Sequence, residues 1–156
     1  VSDTLASSRI LTVADQVGVA QASLDISVDY TKERKQFDRT IASFQAIKHK
    51  AADMMLKAES ARSLLYYAAC TADAWLAGEV DRDALHEAAY MASACASDAA
   101  FFNAGCGIQM HGGVGITEEY DIQLYFKRAR ATESYLGRPS EMREAIACRL
   151  LDGDVA

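Results

Sequence analysis

Apolar positions advance along this chain in steps of three and four residues through three long stretches. The first carries Ile10, Val13, Val17, Ala20, Leu24 and Val28, and at 3.6 residues per turn such steps trace one stripe along a helix. The spacing predicts a helix from about Ser2 to Thr31. The second stretch, from Phe44 and Ile47 through Met54, Ala58, Ala61, Leu65 and Ala68 to Trp75, alternates three and four for its whole length, the pattern of a heptad seam. Gly78 suits the left-handed residue that closes a helix, and Asp81 suits the side-chain cap that opens the next. The third stretch follows with Leu85, Ala88, Ala92, Cys95, Ala99, Phe102 and Cys106, and Gly112, Gly113 and Gly115 are expected to end it.

A shorter fourth helix is predicted over about Tyr120 to Thr132, with Ile122, Leu124, Tyr125 and Phe126 as its apolar contacts. After Gly137 the chain's one proline, Pro139, suits the first position of a last helix reaching about Leu151, because its missing N–H would have had no intrahelical acceptor. Nothing earlier interrupts a helix by ring clash. Small residues dominate the seams, so the helix axes are expected toward the short end of the usual ~8–10 Å separation. The pattern therefore predicts an all-α fold, an antiparallel up-down four-helix-bundle-like domain with a short extra C-terminal helix, with residues 1–156 forming one domain.

Composition narrows the function classes. Half the residues are hydrophobic, 51%, which excludes a chain too polar to fold. A net charge of −6 argues against nucleic acid as a partner, since that affinity rests on neutralising many phosphates. No run of about 18 apolar residues exists to span a membrane. Val1, Ser2 and Asp3 do not form a basic lead into an apolar segment, so a cytoplasmic or organellar-matrix location is expected. Cys70, Cys95, Cys106 and Cys148 form no CxxC pair, and three of them lie in helical patterns among alanines, so buried free thiols are expected. His49, His86 and His111 follow neither HExxH nor Glu-x-x-His spacing, so no metal site is expected.

Two segments gather groups able to bind a ligand. The corner between the first two helices reads Lys32-Glu33-Arg34-Lys35-Gln36-Phe37-Asp38, with Gln45 beyond it. Arg34 has the fork to hold a pyrophosphate, Phe37 a ring to pack on an adenine or ribose, and Gln45 an amide for the same ligand. The alternative is a solvated turn with Phe37 tucked into the core. The second segment is Gln109-Met110-His111-Gly112-Gly113-Val114-Gly115. Its glycines allow close backbone approach and an anion-binding turn, with Gln109 adding an amide. The alternative there is a helix end and tight turn that hold nothing.

Together, in this order and spacing, these segments resemble the C-terminal domain of the acyl-CoA dehydrogenases. Val17-Gly18-Val19-Ala20-Gln21 in the first helix, Tyr30 and Thr31 leading into the corner, and Tyr135 before Gly137 belong to the same resemblance, which covers nearly the whole chain. It implies FAD as cofactor, contacted by Arg34, Phe37, Gln45, Gln109, Gly112 and Gly113, with FAD shared between subunits of a homo- or hetero-oligomer. It also implies an acyl-CoA substrate, dehydrogenated by removal of an α-proton to a carboxylate and a β-hydride to the flavin.

Two departures limit that implication. The family's usual base is a Glu between the Tyr and Gly before the last helix, where this chain has Leu136. Other members keep a Glu just before the Arg near the start of the first bundle helix, where this chain has Ser8. Neither side chain accepts a proton near neutral pH, so this chain alone is expected to be inactive. Arg138 and Ser140 also replace the family's usual residues near the adenine. The resemblance omits the family's preceding acyl-CoA-holding domains, so the chain is expected to be a fragment, a split subunit or a reduced protein. The readings it leaves are an FAD-contacting, oligomerising domain, a non-catalytic subunit of a heteromeric enzyme, or an assembly module without FAD.

Overall fold

The structure, a computed structural model, describes residues 2–151; residues 1 and 152–156 of the expected domain lie outside the described residues. Five α-helices account for most of it: α1 (Ser2–Glu33), α2 (Gln45–Leu76), α3 (Arg82–His111), α4 (Ile122–Thr132) and α5 (Pro139–Leu151). A small antiparallel hairpin of β1 (Lys35–Gln36) and β2 (Arg39–Thr40) joins α1 to α2. The helical bundle predicted from the apolar spacing is the fold observed.

The seams face inward as their periods require. Ile10, Val13 and Val17 of α1 meet Ala58, Ala61 and Ala68 of α2 and Leu85, Ala88 and Ala92 of α3 in one buried cluster. The third helix packs against each of the other four, and a helix surrounded in this way buries apolar residues on several faces. Ala89, Ala96, Ala100 and Ala104 accordingly join the seam alanines in the core. At Gly107 the approach is too close for any side chain, since an added Cβ would lie 2.5 Å from Ile122 Cδ1 and 2.8 Å from Ser27 Oγ. Buried Asn103 ties three helices together by donating from Nδ2 to Ala20 O at 2.9 Å and Met54 O at 3.0 Å.

Helix ends follow local chemistry. Asp81 Oδ1 accepts the Ala84 N–H at 2.8 Å, and Gly78 takes the left-handed conformation at φ 75°. The third helix runs to His111, beyond the last seam residue Cys106, and stops where Gly112 adopts φ 67°. Leu124, expected as a core contact, is exposed, because α4 turns Ile122, Tyr125, Phe126 and Ala129 inward instead. The cysteines are not buried as expected: Cys70 and Cys148 are exposed, and Cys95 and Cys106 are half-buried. Alanines take the tightest seam positions and leave the thiols at the margins. Partial burial still raises the thiol pKa of Cys95 and Cys106. Among the described residues, no helix is long and apolar enough to cross a membrane.

At the start of α1, Asp3 ties that helix to α3. Arg82 donates to Asp3 Oδ2 at 2.7 Å, and His86 Nε2 lies 3.1 Å from Oδ1. These hydrogen bonds, that from Arg82 first, hold the Asp3 carboxyl at about 2 against an ordinary 3.8. A depressed folded value means the stabilisation is complete above pH 3.8 and fades as pH falls toward 2. Asp3→Asn is therefore expected to be less stable than the parent at neutral pH, with the gap closing on acidification through that window. Urea unfolding across pH checks it, and a gap independent of pH would contradict the assignment.

Candidate functional site

The corner after α1 is a hairpin built around an unfavourable turn. Gln36 pairs with Arg39, leaving Phe37 and Asp38 as a two-residue loop, and both have positive φ, 54° and 62°. That shape matches the right-handed twist of the strands but favours Asn-Gly, and a bulky side chain is strained there. Phe37 is 85% exposed, so the alternative that tucked it into the core is excluded. Its ring meets Phe44 edge-on at 6.2 Å, and Arg39 lies 3.9 Å over the Phe44 ring. Gln45, next to Phe44 at the start of α2, is exposed, with Nε2 3.4 Å from His49 Nε2.

Arg34 sits between α1 and the hairpin with its backbone fixed on both sides. Its N–H donates to Tyr30 O and its carbonyl accepts from Ile41 N, both at 2.9 Å. Its side chain is exposed and makes no ion pair among the described residues. Strain of about 1–3 kcal/mol is typical of such a held conformation, against a few tenths to about 1 kcal/mol of entropy for a glycine. Phe37→Gly is therefore expected to raise the urea midpoint of the protein, by up to about 1 kcal/mol in stability. A lower midpoint would show that the Phe37–Phe44 contact outweighs the strain.

Of the expected contact residues, Arg34 lines a cleft of about 450 Å³, together with Asp29, Tyr30, Glu33, Tyr120 and His111, the residue before the glycine turn. Tyr30 stacks on His111 with centroids 4.2 Å apart, Tyr120 meets both rings edge-on, and the Tyr30 hydroxyl donates to His111 O at 3.4 Å. His111 Nδ1 is 2.8 Å from Gly107 O, and with Nδ1 as the donor the buried Nε2 is left as an acceptor that has no partner among the described residues. The helix therefore ends on a clamped residue, and Gly112 and Gly113 follow it into open space, where an added Cβ would meet nothing. Gly115, by contrast, is structural, because a Cβ there would lie 2.8 Å from Ile108 O. Gln109 is exposed on the last turn of α3. Of the six expected contact residues, Arg34 and Phe37 lie on the corner with Gln45 just after it, and Gln109, Gly112 and Gly113 flank His111.

Sequence reasoning missed the Tyr30–His111–Tyr120 stack. Its signals were Tyr30 one helical turn before Arg34 and His111 directly before Gly112.

Arg9, the residue after Ser8, links α1 to the loop that carries Leu136. It donates from Nε to Leu136 O at 3.0 Å. Ser8 Oγ donates back to Thr4 O at 2.8 Å. The carboxylates nearby are all engaged. Arg128 grips Asp15 through Nε and Nη2, Glu133 pairs with Arg130, and Glu141 Oε2 accepts the Arg138 N–H at 3.0 Å. Asp3 is held by Arg82.

A helical bundle with this corner, this glycine turn and this loop has known relatives. Across residues 1–151 the chain matches the family described as acyl-CoA dehydrogenase, C-terminal domain, and it belongs to that family. It is 41% identical over 134 residues to the acyl-CoA dehydrogenase IpdE2 of Mycolicibacterium smegmatis, covering 86% of this chain and 39% of that relative. The structure of butyryl-CoA dehydrogenase from Megasphaera elsdenii shares 33% identity at a TM-score of 0.87, over 96% of this chain and 37% of that one. A variant of the Tcur3481–Tcur3483 steroid ACAD shares 30% identity, also at 0.87, over 98% and 40%. The chain thus spans about two fifths of the length of the curated relatives it matches.

Proposed function

We propose that this chain is the FAD-contacting and assembly portion of an acyl-CoA dehydrogenase, and that it supplies no catalytic base of its own. The observation that carries this reading is the meeting of Ser8–Arg9 with Leu136. The two places where the resemblance expects a carboxylate are both without one, Arg9 ties the turn of α1 that carries Ser8 to the Leu136 carbonyl, and the neighbouring carboxylates are held in pairs or caps. General-base help needs a group free to accept a proton within reach of the substrate.

The corner and glycine turn fit an adenine dinucleotide. Arg34 offers an exposed guanidinium, without an ion pair among the described residues, for a pyrophosphate, and Phe37 holds an exposed ring in a conformation that its own packing does not favour. Gly112 and Gly113 leave backbone open to approach. FAD, when bound, supplies the redox chemistry of α,β-dehydrogenation. This chain's residues bind and orient it: Arg34, Gln45 and Gln109 by charge and hydrogen bonds, Phe37 by packing, and Tyr30 by clamping His111 ahead of the glycines. An assembly role is supported by α2, which exposes Met55, Leu56, Tyr66 and Tyr67. The pairs lie about three turns apart on one face, an apolar surface of the kind subunit contacts cover.

A second reading makes the chain the non-catalytic subunit of a heteromeric enzyme whose partner brings the base. It is favoured by the steroid ACAD relative, whose name joins two polypeptides. Visible absorption of the full-length protein, purified alone and after co-expression with the product of its neighbouring gene, tests both. A flavin spectrum from the protein alone supports the homomeric reading, and one that needs the partner supports the heteromeric reading. A colourless protein in both preparations leaves an assembly module without FAD and overturns the proposal.

A further inference from the structure

Beneath the Leu136–Gly137 loop lies a small, partly open cavity, walled by Arg9 and Gln16 of α1, Ser93 and Ser97 of α3, and the loop itself. It offers about 20 Å³ to the centre of a water molecule, and about 10–15 Å³ suffices for one. We propose that this cavity binds a single ordered water, held by the hydroxyls of Ser93 and Ser97 and by the Arg9 guanidinium.

The serines carry the argument. A helical serine commonly satisfies its hydroxyl on the carbonyl one turn back, and Ser7, Ser8, Ser27 and Ser63 all do so here. Ser93 and Ser97 do not: both hydroxyl oxygens are buried without a partner among the described residues, and Ser97 is only 4% exposed. Four residues apart, they project from one face of α3. A buried polar atom left unpaired is costly, so a cavity with two of them and room for one water is a binding site for it. Arg9 adds donors, since its Nε is spent on Leu136 O and it forms no ion pair among the described residues.

Water suits this wall better than a halide ion. Glu133 also lines the cavity, and the pairing of its carboxylate with Arg130 leaves Arg9 as the one cation in the lining. A water also donates to the serine oxygens while it accepts from Arg9. Bound there, it joins α1, α3 and the loop that carries Leu136, at a point no direct hydrogen bond between Arg9 and the serines covers.

Crystals of the full-length protein at near-atomic resolution are expected to show one peak within hydrogen-bond reach of Ser93 Oγ, Ser97 Oγ and an Arg9 nitrogen. Bromide-soaked crystals should show no anomalous signal there. An empty cavity or a bromide peak would overturn the proposal. Independently, Ser97→Ala should lower Tm by about 2–4 °C as the water loses an anchor. An unchanged or raised Tm would mean that the hydroxyl had stood unsatisfied in a dry cavity, because deleting such a group relieves its burial.

Discussion

Leu136→Glu in the full-length protein is expected to raise acyl-CoA oxidation, followed by dye reduction, by about a hundredfold or more over the unmodified homomer. The expectation rests on the proposed function and on the local backbone. Leu136 is half-buried between exposed Tyr135 and Gly137, and its carbonyl is fixed by Arg9 Nε. A glutamate there would inherit a held backbone, and the guanidinium beside it favours the ionised carboxylate needed to take a proton. Positioned general bases contribute about a hundred- to ten-thousand-fold in rate, so even an imperfect fit should be visible. Ser8→Glu, next to Arg9 in α1, is expected to give a smaller gain, because its backbone belongs to a rigid helix that cannot adjust to the substrate. The contrary result is turnover by the unmodified homomer that disappears on changing Glu133 or Glu141. Either carboxylate would then have left its present partner, Arg130 or the Arg138 N–H, and the base would have migrated rather than vanished.

What the sequence made legible was whatever repeats. The seams of α1, α2 and α3 persist over many turns, so their period survives individual exceptions, and the caps at Gly78 and Asp81 are local signals read within one turn. Leu124 was misassigned because α4 spans only Ile122–Thr132, too few turns for a period to separate its faces. The hairpin at Phe37 was invisible because its turn lacks the Asn-Gly that such a backbone favours. That same violation is what marks the residue once the backbone is known. The meeting of Arg9 with Leu136, and the stack of Tyr30 on His111, join positions far apart in the chain. No spacing rule reaches such pairs. The resemblance to a family did reach both base positions, but only as two separate departures. The fold adds that Arg9, the neighbour of one, binds the carbonyl of the other.

Arg34→Ala should weaken FAD binding to the assembled protein by about 1.5–3 kcal/mol, roughly tenfold to more than a hundredfold in affinity, because a hydrogen bond to a charged group is worth that much. The structure makes this substitution unusually clean. The corner is held through the Arg34 backbone, N–H to Tyr30 O and carbonyl from Ile41 N, and alanine keeps both bonds. The guanidinium itself is exposed and enters no ion pair among the described residues, so the unfolding midpoint should move by no more than about 0.5 kcal/mol in stability. Arg34→Lys keeps the charge but not the planar fork and should fall between parent and alanine variant. Gln45→Ala removes one neutral hydrogen bond and should lose about 0.5–1.5 kcal/mol. Fluorescence titration of the apo assembly with FAD separates these cases. Equal affinity for parent, Arg34→Ala and Gln45→Ala would show that the corner is a structural hairpin whose exposed groups face no cofactor, and Phe37 would need another reason to stand in its strained turn.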